Sequence, residues 1–255
     1  MSKIIYQEKN GVAIISVDRP EALNALNREI IDDLEKRIDD IAENENIRVL
    51  VIGGAENFAA GADIKGMVEC DPEEAKAFTF NSCYNKIMNL SIPSIAAIDG
   101  YALGGGMELA LCCDLRIAAE TAKVGFPEIN LGIMPGAGGT IRTPRLIGYA
   151  KACELILMGN QVSAAEAEMI GLVNLVVPKE QLMETAMKWA EKLAKKAPVA
   201  LAAAKKMIRT GLTMPTIEEG VAYEADAWAK LFSTEDQKEG MRAFLEKRKP
   251  EFLGK

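Results

Sequence analysis

Residues 100–110 read GYALGGGMELA, a run of three glycines that leads directly into a carboxylate at Glu108. Because glycine has no Cβ, the backbone of residues 104–106 can approach a ligand closely. The following MELAL consists of good helix formers. This order predicts a turn that opens into a helix over 106–112, with free backbone N–H groups aimed at an oxyanion. A second carboxylate, Glu128, follows Pro127 twenty residues later.

The composition limits the chemistry available to such a site. The 255 residues include no histidine, so proton transfer would fall to carboxylates, Lys, Tyr or Cys. The five cysteines have neither C-x-x-C spacing nor His partners, which argues against a zinc site and predicts buried, reduced thiols. The net charge of −7 argues against nucleic-acid binding, while local lysines could still hold a small anion.

The length and the 49% hydrophobic content suit one large domain around a substantial core. No apolar run reaches the roughly 18 residues that a membrane span needs. The N-terminal MSKIIYQEKNGVAIISV enters a strand pattern early. We therefore expect no signal peptide, no membrane partner and a cytoplasmic location.

Short apolar runs and helical periodicity alternate along the first two thirds of the chain. A hairpin is predicted at Asn10-Gly11. The pattern predicts strands over 4–8, 12–17, 48–52, 94–98 and 115–118, and helices around 30–41, over 73–90 and over 106–112. Such alternation is typical of an α/β fold with strands covered on both faces.

Beyond Pro178 the pattern becomes helical, with predicted helices over 179–196, 198–211, 216–232 and 234–248. Ser233 with Asp236, and Thr234 with Gln237, are candidate capping pairs for the last helix. The apolar residues of these helices need a partner surface, either on the chain's own core or on a neighbouring subunit.

Five segments share the order and spacing of the motifs of one known family. They are RPEALNAL (19–26), FAAGADIKGM (58–67), AAIDGYALGGGMELALCCDLRIA (96–118), PEINLGIMPGAGGT (127–140) and GLVNLVV (171–177). On these segments the chain resembles the crotonase, or enoyl-CoA hydratase/isomerase, family over nearly its whole length. The resemblance implies an α/β, ClpP-like spiral of ββα turns over 1–195. It also implies a helical oligomerisation region over 196–255 that builds homotrimers or homohexamers.

The resemblance also assigns the residues of a site. It implies that the backbone N–H groups of Ala62 and Gly105 bind the thioester oxygen as an oxyanion hole. Glu108 would act as base on a water and Glu128 would supply a proton, with the N–H of Gly136 facing the same water. Because two carboxyls in one dry pocket resist double ionisation, their pKa values should separate.

The implied ligand is an acyl-CoA, which is a substrate, so the resemblance implies no cofactor and no metal. In the family the adenine lies against the AGADIK loop, and the tail of an adjacent subunit also contributes. The matching CoA-binding positions are Ala60, Ala62, Asp63, Ile64 and Lys65 in the loop, and Phe244 and Lys247 in the tail segment AFLEKRKPEF.

The function implied is reversible syn-hydration of a trans-2-enoyl-CoA, of the crotonyl-CoA type, to a 3-hydroxyacyl-CoA. Another crotonase reaction (isomerisation, decarboxylation, or hydration of a cyclic or branched enoyl-CoA) and a non-catalytic scaffold remain as alternatives. Neither glycine cluster matches a dinucleotide or P-loop motif, and without histidine a Ser-His-Asp triad is impossible. Phe126 departs from the family's frequent glutamine, and we expect it to reshape the acyl pocket or to raise the pKa of Glu128.

Overall fold

The computed structural model describes residues 3–255, except for the side chain of residue 77. Its strands are β1 Ile4–Lys9, β2 Val12–Val17, β3 Val49–Gly54, β4 Ser94–Ile98, β5 Tyr101–Leu103, β6 Leu115–Ala119, β7 Lys123–Gly125, β8 Gln161–Ser163 and β9 Leu175–Val177. Its helices are α1 Arg28–Glu43, α2 Pro72–Ala75, α3 Asn81–Asn89, α4 Gly105–Cys112, α5 Gly139–Ile147, α6 Tyr149–Met158, α7 Ala164–Met169, α8 Leu182–Ala194, α9 Pro198–Gly211, α10 Ile217–Leu231 and α11 Glu235–Leu245. Within residues 3–255, no helix is both long and apolar enough to cross a membrane.

The main sheet has six strands in the order β1-β2-β3-β4-β6-β9. β1 and β2 form the antiparallel hairpin predicted at Asn10-Gly11, where both residues have positive φ. The other neighbouring strands of this sheet are parallel. Parallel strands require crossover connections, which the helices between them provide.

Both faces of the main sheet are covered, as the continuous apolar runs predict. On β3, Leu50 and Ile52 belong to the main core. Val49 and Val51 point to the opposite face and pack in a second cluster with residues of α8. Since successive strand residues alternate between faces, one strand serves both layers. The sequence interpretation of an α/β arrangement is confirmed.

A second sheet of three strands, in the order β5-β7-β8, positions the glycine-rich turn. β5 leads into α4, and the segment around Ala59 runs beside β5 through an isolated parallel bridge to Ala102. The N–H of Ala59 donates to Tyr101 O at 2.9 Å, and the N–H of Leu103 donates to Ala59 O at 3.1 Å. This pairing brings the AGAD loop, meaning residues 60–65 of the AGADIK segment, beside the start of α4.

The prediction of a single helix over 73–90 is wrong, because the helix is interrupted at Phe80. α2 ends at Ala75, a 3-10 turn covers Lys76–Thr79, and Phe80 takes a left-handed conformation with φ of 53° before α3 begins. The Phe80 side chain is buried, with its ring centroid 6.0 Å from that of Tyr84. Burial of this ring stabilises a backbone conformation that helix periodicity does not reveal.

The C-terminal helices lie close to their predicted bounds, although residues 179–181 form a 3-10 turn that precedes α8. Thr234 caps α11 by accepting from the N–H of Gln237 at 3.1 Å, as predicted. Ser233 does not cap it, since its hydroxyl donates to Lys230 O instead. The division at residue 195 stays a prediction.

Candidate active site

Two positions of the glycine-rich turn favour glycine, Gly104 because of its positive φ and Gly106 because of a lack of space. Gly104 has φ of 51° and ψ of −124°, and a Cβ there would lie 2.9 Å from Oε1 of Glu128. A Cβ on Gly106 would lie 2.0 Å from the carbonyl oxygen of Ala59. α4 can therefore begin at Gly105 directly against the neighbouring backbone and beside a carboxyl group.

The backbone N–H groups of Ala62 and Gly105 belong to neighbouring residues at the start of α4. The backbone groups on either side of the Ala62 N–H already form hydrogen bonds. The N–H of Leu26 donates to Gly61 O at 2.7 Å, and the N–H of Asp63 donates to Leu26 O at 2.8 Å. The nitrogen of Ala62 lies 3.6 Å from where a Cβ of Gly105 would be. Neither N–H donates to another described residue. The pair can therefore bind a developing oxyanion.

Glu108 lies in the first turn of α4, with its side chain buried. Its Oε1 accepts from the N–H of Ala137 at 2.8 Å and from the N–H of Gly139 at 2.7 Å. The pKa of Glu108 is raised overall, because the effect of burial exceeds that of the two N–H groups and the charge of Arg142, which lower it. The sequence interpretation missed both donors, although they belong to the PGAGG segment that it singled out.

Glu128 lies in the 3-10 turn Pro127–Leu131 and is 8% exposed. Its Oε2 is buried and has no hydrogen-bond partner among the described residues. Burial raises the pKa of Glu128 to about 7; a hydrogen bond from its own backbone N–H opposes this increase, and the negative charge of Glu108 adds to it. The carboxyl group can therefore stay protonated near neutral pH and donate a proton.

The AGAD loop is held by an ion pair below its exposed tip. Arg19 donates from Nη1 to Oδ2 of Asp63 at 2.7 Å. Oδ1 of Asp63 accepts from the N–H of Lys65 at 3.2 Å, so that carboxylate also caps the turn that follows. The side chains of Ile64 and Lys65 are exposed, and Ala60 and Ala62 are half-buried. A bound anion could reach this tip.

The remaining predicted site positions lie on the surface. Gly136 is exposed, and a Cβ there would lie 3.9 Å from Cγ2 of Thr79. Phe244 and Lys247, at the end of α11, are exposed as well. Within residues 3–255, neither of these two side chains has a hydrogen bond or ion pair to the glutamates or the AGAD loop.

Phe126 is fully buried, with its ring near Oε1 of Glu108. A Cβ on Gly139 would lie 3.0 Å from the ring of Phe126 and equally far from Oε1 of Glu108. This apolar ring therefore borders the carboxylate held by the PGAGG segment.

Three cysteines are buried and two are half-buried, all as free thiols. No group of three or more metal-ligating side chains is found among the described residues.

Comparison with known proteins identifies the class to which this fold and site belong. The sequence model of the enoyl-CoA hydratase/isomerase family matches residues 7–255, so the chain belongs to that family. It is 41% identical to a short-chain enoyl-CoA hydratase of Clostridium acetobutylicum, over 98% of this chain and 97% of that one. It is also 41% identical to the 2,3-dehydroadipyl-CoA hydratase of Escherichia coli, over 100% of both chains.

Solved structures agree with the family assignment. A crystal structure of an enoyl-CoA hydratase subunit from Geobacillus kaustophilus superposes with a TM-score of 0.95 at 44% identity, covering 99% of this chain and 98% of that one. The expected crotonase fold is therefore confirmed.

Proposed function

We propose that this chain is an enoyl-CoA hydratase that adds water across the Cα=Cβ bond of a trans-2-enoyl-CoA, of the crotonyl-CoA type, to give a 3-hydroxyacyl-CoA. One observation carries the proposal: two buried carboxyl groups, one accepting two backbone N–H groups and the other with an unpaired oxygen, lie at the glycine-rich turn where the N–H groups of Ala62 and Gly105 are free within residues 3–255. Family membership and the hydratase names of similar proteins support it.

In the hydration direction, each site residue has one proposed task. The N–H groups of Ala62 and Gly105 hold the thioester oxygen. Glu108, ionised, takes a proton from water as the water oxygen bonds to Cβ, and the displaced electron pair moves to the thioester oxygen as an enolate. Glu128, protonated, then gives its proton to Cα, and the enolate electrons form that bond. We also assign the backbone N–H of Gly136 to a contact with the same water.

The acyl-CoA is the substrate in this scheme, so no separate cofactor takes part. We assign the AGAD loop and the exposed Lys65 to the CoA moiety, since an acidic protein needs a local cation to bind a polyanion. Phe244 and Lys247 would complete that site from a neighbouring subunit. A cytoplasmic location belongs to the same proposal, and cell fractionation tests it.

Crotonyl-CoA provides the direct test. The purified protein should remove the absorbance of the conjugated enoyl thioester, and the product should be 3-hydroxybutyryl-CoA rather than a shifted enoyl-CoA. Parallel assays with long, branched and dicarboxylic enoyl-CoAs define the acyl preference. Absence of turnover with every enoyl-CoA would overturn the proposal and leave the scaffold alternative.

The C-terminal helices support a homotrimer or a homohexamer. α9 and α10 contain no fully buried residue. Large apolar side chains on α10 are exposed, including Val221 at 57% and Trp228 at 61%. An apolar face of this kind needs a covering surface in solution. Sedimentation of the purified protein should give the mass of three or six chains, and a monomer would contradict the assignment of Phe244 and Lys247.

A further inference from the structure

Arg142, on α5, lies against the backbone of the loop that precedes its own helix. Its Nη1 donates to the carbonyl oxygen of Ala137 at 2.5 Å. A Cβ on Gly138 would lie 2.0 Å from the same Nη1. The guanidinium therefore occupies the space that a side chain at residue 138 would take.

The same loop supplies both donors to Glu108. Ala137 and Gly139 donate their N–H groups to Oε1 of Glu108 at 2.8 and 2.7 Å. Ala137 thus accepts from Arg142 through its carbonyl and donates to Glu108 through its amide. Moving the guanidinium would move the peptide groups that orient this carboxylate.

The other nitrogens of Arg142 reach α3. Its Nε lies 3.0 Å from Sδ of Met88, and its Nη2 lies 3.3 Å from Oδ1 of Asn85. No carboxylate within residues 3–255 forms an ion pair with Arg142. Since both α3 partners are neutral, the positive charge stays available to act on Glu108.

We propose that Arg142 is a positioning residue that keeps Glu108 oriented and ionised as the base, by bracing residues 137–139 through the Ala137 carbonyl and by supplying a cation on the other side of that peptide group. The inference rests on the proposed function of Glu108. It differs from a purely structural role because it links the charge of one guanidinium to the protonation state of a carboxylate.

The groups that face Glu108 favour Arg142 as the source of this effect. Glu128 presents a second carboxyl group, and Tyr84 and Cys112 present an O–H and an S–H from α3 and α4. Burial raises the pKa of Tyr84 well above its usual range and that of Cys112 to about 12, so both stay neutral. Arg142 is the cation whose charge lowers the pKa of Glu108.

The test compares Arg142→Gln with Arg145→Gln, which removes the same charge three residues later on α5. Arg145 is exposed and donates to Ile141 O at 2.7 Å within its own helix. We expect Arg142→Gln to shift the acid limb of the kcat/KM profile to higher pH by about one unit, the scale of a lost neighbouring charge. Arg145→Gln should leave that limb in place. An unshifted limb in Arg142→Gln would overturn the proposal.

Carboxyl 13C NMR of glutamate-labelled protein gives the same shift without turnover, with the Glu108 signal assigned by its loss in Glu108→Gln. If the wild-type protein hydrates no enoyl-CoA, the proposed function fails, while this titration still decides whether Arg142 controls Glu108.

Arg142→Lys keeps the charge and loses the planar fork. We expect it to retain the wild-type acid limb but to lose about tenfold in kcat with little change in KM. Wild-type kcat in Arg142→Lys would refute the bracing role, even if Arg142→Gln fails to fold.

Discussion

Glu108 and Glu128 are the same residue type in neighbouring parts of one site, yet the protein surrounds them differently. Oε1 of Glu108 receives two backbone N–H groups, whereas Oε2 of Glu128 is buried without a partner among the described residues. Hydrogen bonds to a carboxylate stabilise its charged form, and burial without them favours the neutral form. The comparison teaches that the surroundings, rather than the residue type, give the two proposed roles their physical basis: two backbone donors on one oxygen of Glu108, and an unpaired buried oxygen on Glu128.

Removing either carboxyl group should have the largest effect. Glu108→Gln and Glu128→Gln keep the shape of the side chain but lose the base or the acid, so each should lower kcat for crotonyl-CoA by about 10² or more. Steady-state hydration assays measure this loss.

Glu120→Gln is the matched control, because Glu120 is an exposed glutamate near the end of β6. It should keep wild-type turnover. Near-normal turnover in either active-site variant would show that the assignment of roles to the two glutamates is wrong.

The pH dependence of kcat/KM should show the different environments of Glu108 and Glu128 as two separate limbs. Activity requires Glu108 ionised and Glu128 protonated, so kcat/KM should fall on both sides of a maximum. Since the pKa of Glu128 is raised to about 7, the basic limb should fall up to about tenfold per pH unit above that value. The two limbs belong to the coupled pair.

In Glu128→Gln the residual activity should lose its basic limb, because that side chain no longer titrates. A basic limb that persists unchanged in this variant would assign the limb to another group.

The smallest expected effect is on stability. The folded pKa of Glu128 lies above its ordinary value of 4.5, so the folded chain holds this proton more tightly than the unfolded chain. Stability therefore falls as the pH rises from about 4.5 to about 7, and the loss is complete above that. Glu128→Gln should raise the free energy of unfolding above pH 7 by about 1 to 2 kcal/mol, part of the full conversion of the pKa difference.

Urea unfolding at pH 5 and pH 8 measures the change, with Glu108→Gln as the comparison. The gain for Glu108→Gln should be smaller, because two N–H groups already stabilise its charge. Equal gains for both variants would remove the proposed asymmetry.

Local pattern predicted most elements of the fold because their signals are periodic or chemically distinct. The Asn10-Gly11 hairpin, α1 and the bounds of α9 follow directly from turn residues and apolar spacing. The break at Phe80 and the three-residue strands β5 and β7 do not, since a ring packed on Tyr84 and a few interstrand bonds decide them. The strands pair residues far apart in the sequence, and the left-handed Phe80 interrupts an apolar spacing that otherwise indicates a helix.

The glycine triplet and the two glutamates could be read from the chain, and the family resemblance supplied their proposed roles. The sequence by itself determined which groups are able to carry protons, because a chain without histidine leaves carboxylates as the leading candidates. Only the tertiary structure decided how differently the two carboxyl groups are surrounded. Protonation depends on burial and on the direction of N–H groups from residues 137 and 139, and folding alone brings those groups to Glu108.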